Sequence, residues 1–206
     1  TMLRYKLIYF QIRGRGEVAR QLFYLTGVPF QDVRISMDEW PAFKTKTPFG
    51  VLPVLEVDGQ PIPQSFAIYR YLAKQFEFAG DSPFEALWVD TIADQHKEYF
   101  SQIKPAFFFE GSEEEKEQIM KHVAEPARDK YYPLLEKVTP DNGSNGHFVG
   151  ASLTWVDLLI AEHVSILLSQ SPQFLNNYPT VLSTVNEVLS TPKLKEWIDK
   201  RPYTAF

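Results

Sequence analysis

The chain has 206 residues and a formal net charge of −5, and 44% of its residues are hydrophobic and 15% aromatic. This length and apolar content suit two modest domains with buried cores better than one large domain. The negative charge argues against nucleic acid and anionic membranes as partners. The chain has no cysteine, which excludes disulfides, thiolate metal sites and chemistry on a thiol of its own.

Nothing in the sequence indicates secretion or a membrane span. The segment after Met2 lacks the apolar core of a signal peptide, and no apolar run reaches the ~18 to 20 residues needed to cross a bilayer. The four histidines show no metal-ligand spacing. We therefore expect a cytoplasmic protein that requires no metal.

The first elements form a strand, a helix and a strand. Tyr5 to Phe10 is rich in aromatic and β-branched residues and predicts a strand that is buried on both faces. A Gly- and Arg-containing segment, residues 13 to 16, ends it, and a helix follows from about Glu17 to Thr26 with Gly27 placed to terminate it. Phe30 to Ile35 predicts the second strand, so the two strands should pair in parallel.

A β-hairpin and a helix complete this part of the chain. Residues 51–57 and 60–63 predict its strands, and Asp58-Gly59 supplies the positive φ angles of a tight turn. Pro53 interrupts the first strand, which marks an edge, a bulge or a cis turn. A helix should start at Ser65 with the serine hydroxyl as its cap, and such a helix start favours a bound carboxylate.

The composition changes after this helix. Residues 77–84 contain Gly, Asp, Ser and Pro and predict a linker between a domain at residues 2–76 and a second domain at residues 85–206. The second domain shows helical periodicity throughout, with long helices at residues 84–104 and 113–137. In it, Thr154 and Asp157 have the spacing of a capping box, so Asp157 is better explained as a buried cap than as a catalytic acid.

The whole chain resembles the cytosolic glutathione transferases. The resemblance implies a thioredoxin-like α/β domain (βαβ then ββα, with a mixed four-stranded sheet) followed by an all-α domain. The motifs that carry it are similar to those of the sigma class, which includes glutathione-dependent prostaglandin D synthases. They are Tyr5-Lys6-Leu7-Ile8-Tyr9-Phe10, Arg13-Gly14-Arg15, Trp40-Pro41, Pro48-Phe49-Gly50, Val51-Leu52-Pro53, Leu55-Glu56-Val57-Asp58-Gly59 and Gln64-Ser65-Phe66-Ala67-Ile68.

The resemblance implies a glutathione site in the first domain. Tyr9 would be the catalytic hydroxyl on the glutathione sulfur, and Arg15 would support the thiolate. Other positions would bind the rest of the tripeptide: Gln64 and Ser65 its γ-glutamyl carboxylate, Trp40 and Lys44 its glycyl carboxylate, Leu52 before a cis-Pro53 its cysteinyl backbone, together with Gly50 and Val51. The chain would form a homodimer in which Glu98 of the partner subunit completes the site.

Purely structural roles for these residues remain open. Without the resemblance, Tyr9 is simply an aromatic residue of a strand. Trp40 and Lys44 would then be a packing residue and a solvated residue of a loop. Ser65 is expected to cap a helix whether or not a ligand binds there. Since successive helical residues point in different directions, Phe107 and Phe108 also suit core packing. The resemblance itself places them in a hydrophobic substrate pocket formed by Phe10, Ile12, Arg13, Tyr99, Phe107, Phe108 and Phe206.

The expected function is conjugation of the glutathione thiolate to a small hydrophobic electrophile. The resemblance implies glutathione as the co-substrate, which agrees with a chain that has no cysteine and so needs a ligand to bring any reacting thiol. Three alternatives stay open at this point. They are prostaglandin D isomerisation, a non-catalytic carrier of hydrophobic ligands such as haem, and a structural crystallin-like protein.

Overall fold

The computed structural model describes residues 3–143 and 145–204, which form two compact units. Residues 3–79 and 190–204 make up the first unit, and residues 80–143 and 145–189 make up the second. The predicted fold class, a thioredoxin-like α/β domain followed by an all-α domain, is confirmed. The elements are β1 (Tyr5–Phe10), a 3-10 turn (Gly14–Gly16), α1 (Glu17–Thr26), β2 (Phe30–Ile35), α2 (Trp40–Lys44), β3 (Val54–Val57), β4 (Gln60–Pro63), α3 (Ser65–Phe76), α4 (Pro83–Phe107), α5 (Glu113–Ile119), a π turn (Met120–Ala124), α6 (Glu125–Asp141), α7 (Trp155–Gln170), α8 (Pro179–Leu189) and α9 (Pro192–Lys200).

The sheet of the first unit has the strand order β2-β1-β3-β4. β1 pairs in parallel with β2 and antiparallel with β3, and β3 pairs antiparallel with β4. The predicted parallel pairing of the first two strands is therefore confirmed. Residues on both faces of β1 are buried, among them Leu7 and Ile8, which explains why its sequence is almost continuously apolar. α1 packs against α3 and also against α9, so the last helix of the chain belongs to this unit.

The hairpin forms as predicted, with two differences at its ends. Asp58 and Gly59 have φ angles of 48° and 84°, as the turn requires. β3 begins only at Val54, because Pro53 has no N–H to contribute to the ladder, and the Leu52–Pro53 peptide bond is cis. The predicted Ser65 cap is wrong: Gln64 holds the cap position with φ 81°, and Ser65 is the first helical residue.

Long helices build the second unit. α4 continues through Pro105 to Phe107, three residues beyond its predicted end, and α5, the π turn and α6 run on from Ser112 without a break. Asp157 is fully buried and accepts hydrogen bonds from the Thr154 and Phe148 amides at 2.7 Å each. These bonds confirm the predicted capping role of Asp157. No helix within residues 3–143 and 145–204 has the length and apolarity needed to cross a membrane.

A buried histidine pair lies in the core of the second unit. His96 Nε2 is 2.8 Å from His163 Nδ1, and His96 Nδ1 is 3.0 Å from the Tyr131 hydroxyl. Phe100 stacks on the His163 ring at 3.8 Å between centroids. Burial, and then the neighbouring His163, hold the pKa of His96 well below its ordinary value. His96 therefore stays neutral inside the folded unit.

Acidification should destabilise this unit through His96. The unfolded chain protonates His96 below pH ~6.5 whereas the folded chain does not, so stability falls as pH drops through that value, by about 1 kcal/mol between pH 7 and pH 5.5. Urea unfolding followed at both pH values measures this loss. His96→Asn should flatten the dependence. An unchanged slope in the His96 variant would contradict the assignment.

Candidate active site

Tyr9 lies under a short loop that connects β1 to α1. Its side chain is only 6% exposed, and its hydroxyl oxygen accepts a hydrogen bond from the Arg15 backbone N–H at 3.0 Å. Because that oxygen acts as the acceptor, the hydroxyl proton of Tyr9 can be donated to another group. Burial raises the pKa of Tyr9 above its ordinary value, although the Arg15 amide and the charges of Arg15 and Arg20 act in the opposite direction. Tyr9 is therefore a protonated donor at neutral pH.

Two glycines allow the loop to approach Tyr9 this closely. A Cβ atom at Gly14 would lie 2.7 Å from the Tyr9 hydroxyl oxygen, and one at Gly16 would lie 2.5 Å from a ring carbon. Gly14 also has a φ of 38°, where side chains are disfavoured. The Gly14-Arg15-Gly16 sequence thus wraps the backbone around the tyrosine ring, while the Arg15 side chain remains exposed.

A buried arginine anchors the same loop from below. Arg20 is fully buried and donates to the carbonyl oxygens of Ile12 at 2.7 Å and Phe10 at 3.1 Å. It also forms ion pairs with Glu17 at 3.4 Å and Asp32 at 3.2 Å. Its guanidinium carbon lies 5.8 Å from the centroid of the Tyr9 ring. The positive charge is therefore both compensated and held close to the candidate catalytic residue.

The start of α3 connects to this loop through Tyr69. Tyr69 is 2% exposed, and its hydroxyl donates to the Arg15 carbonyl oxygen at 2.6 Å. A side-chain hydrogen bond also joins Tyr69 to Ser65, one helical turn earlier. Ser65 is itself buried. The structure therefore links three of the predicted site residues, Tyr9, Arg15 and Ser65, through one that was not predicted.

Several other predicted residues pack around Tyr9. Leu52 and Tyr9 belong to one buried apolar cluster, and Phe10, Ile12 and Trp40 are partly buried against it. The Phe10 and Trp40 rings meet edge to face at 5.4 Å between centroids. Packing alone is enough to hold Trp40 here. Its contact with Phe10 therefore agrees with a purely structural role for Trp40 as well as with a role in binding.

Lys44 is the last residue of α2, and its side chain lies next to Gly50. A Cβ atom at Gly50, which has a φ of 63°, would lie 3.4 Å from the Lys44 side chain. Lys44 and Val51 are exposed, whereas Pro53 is buried. Gln64 is exposed at the start of α3. These residues and the Tyr9 loop all belong to the first unit.

The remaining predicted residues are distributed over both units. The Arg13 backbone N–H donates to the Thr204 hydroxyl at 3.3 Å in the first unit. In the second unit Tyr99 is 2% exposed and stacks on Tyr131, and Phe107 is buried against the edge of Phe174. Phe108 is half-buried and Glu98 exposed. Phe206 lies outside the described residues.

The comparison with known proteins agrees with this arrangement. Residues 5–74 match the model of the glutathione S-transferase N-terminal domain, and residues 97–201 match that of the C-terminal domain. Glutathione S-transferase 1 of Ascaris suum is 47% identical over 207 residues, covering all of both chains. The chain belongs to the glutathione S-transferase family. It is a transferase, and its family uses glutathione as co-substrate.

Solved structures similar to this transferase come from several subgroups. A glutathione S-transferase of Ascaris lumbricoides has a TM-score of 0.92 at 46% identity, covering 98% of this chain and 100% of that one. A Nu-class enzyme of Haemonchus contortus has a TM-score of 0.89 at 42% identity over the whole of both chains. A prostaglandin synthase D of Nilaparvata lugens is 33% identical, with a TM-score of 0.86 over 98% and 100%. The predicted sigma class is therefore not confirmed.

Sequence reasoning missed three features of this transferase's Tyr9 region. The first two are Arg20, a buried charge on α1, and Tyr69, a buried hydroxyl on α3. Neither residue was predicted to belong to the site. Two glycines that flank Arg15 were read only as the end of a strand, although alternate glycines beside a candidate catalytic residue indicate a close approach of the backbone. Among residues 3–143 and 145–204, no group of three or more potential metal ligands is present.

Proposed function

We propose that this transferase conjugates glutathione to small hydrophobic electrophiles and that Tyr9 activates the thiol. The observation that carries the proposal is the hydrogen bond from the Arg15 amide to the Tyr9 hydroxyl oxygen, at 3.0 Å. An oxygen that accepts one hydrogen bond becomes a stronger donor through its own proton. Tyr9 would then stabilise a thiolate by donating to the sulfur. It would not act as a base, because burial raises the pKa of its hydroxyl.

The other glutathione contacts follow from the positions of the predicted residues. Ser65 and Gln64 lie at the start of α3, where backbone N–H groups and the helix dipole favour a carboxylate such as that of the γ-glutamyl group. Lys44 and Trp40, both on α2, would bind the glycyl carboxylate. Leu52 precedes Pro53 and lies two residues before Val54, the first paired residue of β3, so its main chain lies outside the ladder and is proposed to bond the cysteinyl part.

A second candidate is glutathione-dependent isomerisation to prostaglandin D. It is favoured by the similarity to the prostaglandin synthase D of Nilaparvata lugens, and a sigma-class assignment would agree with it. Conjugation is preferred because the Ascaris suum protein, at 47% identity, is a glutathione S-transferase, whereas the synthase is 33% identical. Turnover of an aryl halide with glutathione, compared with turnover of a prostaglandin endoperoxide, separates the two. Absence of both activities, with glutathione still bound, would indicate a carrier.

Four further expectations remain proposals. The homodimer, in which Glu98 would reach the glutathione of the partner subunit, is supported by the family resemblance, but a solved Necator americanus relative is described as monomeric. The domain limits at residues 76 and 85 and the cytoplasmic location also stay predictions from the sequence. A hydrophobic pocket that includes Tyr99, Phe107 and Phe108 is proposed on the same resemblance.

Loss of the Lys44 charge should weaken glutathione binding without slowing chemistry. In Lys44→Ala we expect KM for glutathione to rise about twofold to fivefold at unchanged kcat, because an exposed ion pair contributes roughly 0.5–1 kcal/mol. Lys46→Ala is the matched control, since Lys46 is also exposed and lies over the Phe43 ring at 5.9 Å. Steady-state kinetics at varied glutathione measure both variants. Equal KM values for the two would remove Lys44 from the site.

A further inference from the structure

Both backbone polar groups of Arg15 are held by tyrosine hydroxyls. Its N–H donates to Tyr9 at 3.0 Å, and its C=O accepts from Tyr69 at 2.6 Å. The second bond joins residues 54 positions apart and so ties the loop after β1 to helix α3. Arg15 is the middle residue of a 3-10 turn that is closed by the bond from the Gly16 N–H to the Arg13 carbonyl oxygen at 3.2 Å, while the Arg15 N–H is directed at Tyr9. The orientation of the Arg15 N–H therefore depends on its hydrogen-bond partners.

The direction of the hydrogen bonds extends this chain to Ser65. Tyr69 has a single hydroxyl proton, which it donates to the Arg15 carbonyl, so Ser65 must be the donor in the Ser65–Tyr69 bond. Burial raises the pKa of Tyr69, which keeps its proton in place. The bond from Ser65 polarises the Tyr69 hydroxyl and so strengthens its bond to the Arg15 C=O. The Arg15 C=O and N–H belong to adjacent peptide groups, so the effect of Tyr69 reaches Tyr9 through the position of the Arg15 backbone.

We propose that Tyr69 is a positioning residue for the reaction: its hydroxyl fixes the Arg15 peptide so that the Arg15 N–H polarises Tyr9. The inference rests on the proposed function, because it assigns Tyr69 a role in the activation of glutathione by Tyr9. Tyr69 does not touch the sulfur in this scheme. It acts only through Arg15, so its loss should change the donor strength of Tyr9 and leave the carboxylate contacts in place.

The test compares Tyr69→Phe with Tyr71→Phe. Both replacements keep the ring and remove one hydroxyl from α3; the Tyr71 hydroxyl bonds Tyr5 instead of the Arg15 loop. In Tyr69→Phe we expect kcat at pH 6.5 to fall twofold to fourfold, with KM for glutathione changed less than twofold. Ser65 loses its internal acceptor in this variant, which gives no reason for weaker carboxylate binding. Tyr71→Phe should keep both constants.

A pH profile separates positioning from general destabilisation. The apparent pKa of the bound glutathione thiol, read from the ultraviolet absorbance of the thiolate, should rise in Tyr69→Phe and stay constant in Tyr71→Phe. The charged groups around Tyr9 and Tyr69 are Arg15, Arg20 and Glu17, and the Tyr69→Phe and Tyr71→Phe variants both retain them. Urea unfolding should show a loss for both variants, and a larger one for Tyr69→Phe, because its buried hydroxyl bonds both Arg15 and Ser65 whereas the Tyr71 hydroxyl bonds Tyr5. Positioning is therefore judged on the thiol pKa and not on stability.

The possible outcomes distinguish this inference from the proposed function. If Tyr9→Phe is impaired and Tyr69→Phe matches the parent in kcat and thiol pKa, the positioning role is wrong and the proposed function stands. If Tyr71→Phe shows the same kinetic change as Tyr69→Phe, the effect is general and the role is also wrong. A parent protein that makes no conjugate would overturn the proposed function and the inference together.

Discussion

Replacing Tyr9 by phenylalanine is expected to lower kcat for conjugation fivefold to tenfold at pH 6.5. A charge-assisted hydrogen bond contributes about 1.5–3 kcal/mol, which at its upper end lowers the pKa of a thiol by about two units, from ~8.5 to ~6.5. Without it, the thiolate fraction at pH 6.5 falls roughly 50-fold. The more basic thiolate is a better nucleophile by about sixfold to tenfold, which offsets part of the loss.

The same arithmetic makes the effect depend on pH. By the numbers above the two effects balance near pH ~7.5, so the deficit of the phenylalanine variant should disappear there and reverse at higher pH, where both thiols ionise and the variant's thiolate is the better nucleophile. At pH 6.5 KM for glutathione should remain within about twofold, because the contacts proposed for the two carboxylates do not involve Tyr9 and only half of the bound thiol is ionised there. Initial rates with an aryl halide between pH 6 and pH 9 measure this profile, and equilibrium titration with glutathione measures binding.

Tyr5→Phe is the matched control for this experiment. Tyr5 lies on the same strand and is also buried, but its hydroxyl bonds Tyr71 and does not contact the Arg15 loop. Its removal should leave the pH profile unchanged. A Tyr9→Phe variant with the kcat and profile of the parent would show that another group activates the thiol, and the Arg15–Tyr9 hydrogen bond would then have only a structural role.

Much of the fold could be predicted because local chemistry determines it. Gly27 terminates α1 in the left-handed conformation, as its position after Thr26 indicated, and Asp58-Gly59 forms the tight turn of the hairpin. The βαβ order implied parallel pairing of β1 and β2, and Thr154 with Asp157 forms the capping box. Each of these features depends on neighbours in sequence, so a pattern of a few residues was sufficient.

Features that depend on the three-dimensional arrangement could not be predicted from short sequence patterns. Ser65 was predicted to cap α3, but Gln64 takes the cap position and the Ser65 hydroxyl bonds Tyr69. The length of α4 was underestimated because Pro105 looked like a terminator, although a helix can continue through a proline when tertiary packing compensates for the lost hydrogen bond. Tyr69 could be placed on an inward face, but its bond to Arg15 spans 54 residues.

The ion pairs and hydrogen bonds around Arg20 are a second feature of the candidate site that the sequence did not predict. Arg20 follows Glu17 by three residues on α1, so the sequence allowed an ion pair between them, but it gave no sign that both side chains are buried. The other partners of Arg20, Asp32 and two carbonyl groups of the loop after β1, could not be read from the sequence. Glu17 in turn accepts from Trp197 at 2.7 Å and Arg201 at 2.9 Å, near the other end of the chain.

Replacing Arg20 by methionine is expected to destabilise the first unit by about 3–5 kcal/mol. Methionine retains much of the volume but removes the four hydrogen bonds of the buried guanidinium, to Glu17, Asp32 and the two loop carbonyls, at about 1 kcal/mol each, while Asp32 keeps Arg34 and Glu17 keeps Arg201. The Phe10 and Ile12 carbonyls also lose their donor, so the loop over Tyr9 should become less ordered and turnover should fall. Urea unfolding followed by circular dichroism measures the stability change.

Two control variants show which property of Arg20 is required. Arg34→Met removes the second arginine bonded to Asp32, at 2.9 Å, but Arg34 is partly exposed, so a loss below about 1 kcal/mol is expected. Arg20→Lys keeps the charge without the planar fork that reaches the carboxylates and the two carbonyls, so its loss should lie between the other two. If Arg20→Lys is as stable and active as the parent, charge alone is sufficient and the hydrogen bonds to the loop do not hold it. If its stability is retained but turnover falls, the bonds to Phe10 and Ile12 act specifically on the position of the Tyr9 loop.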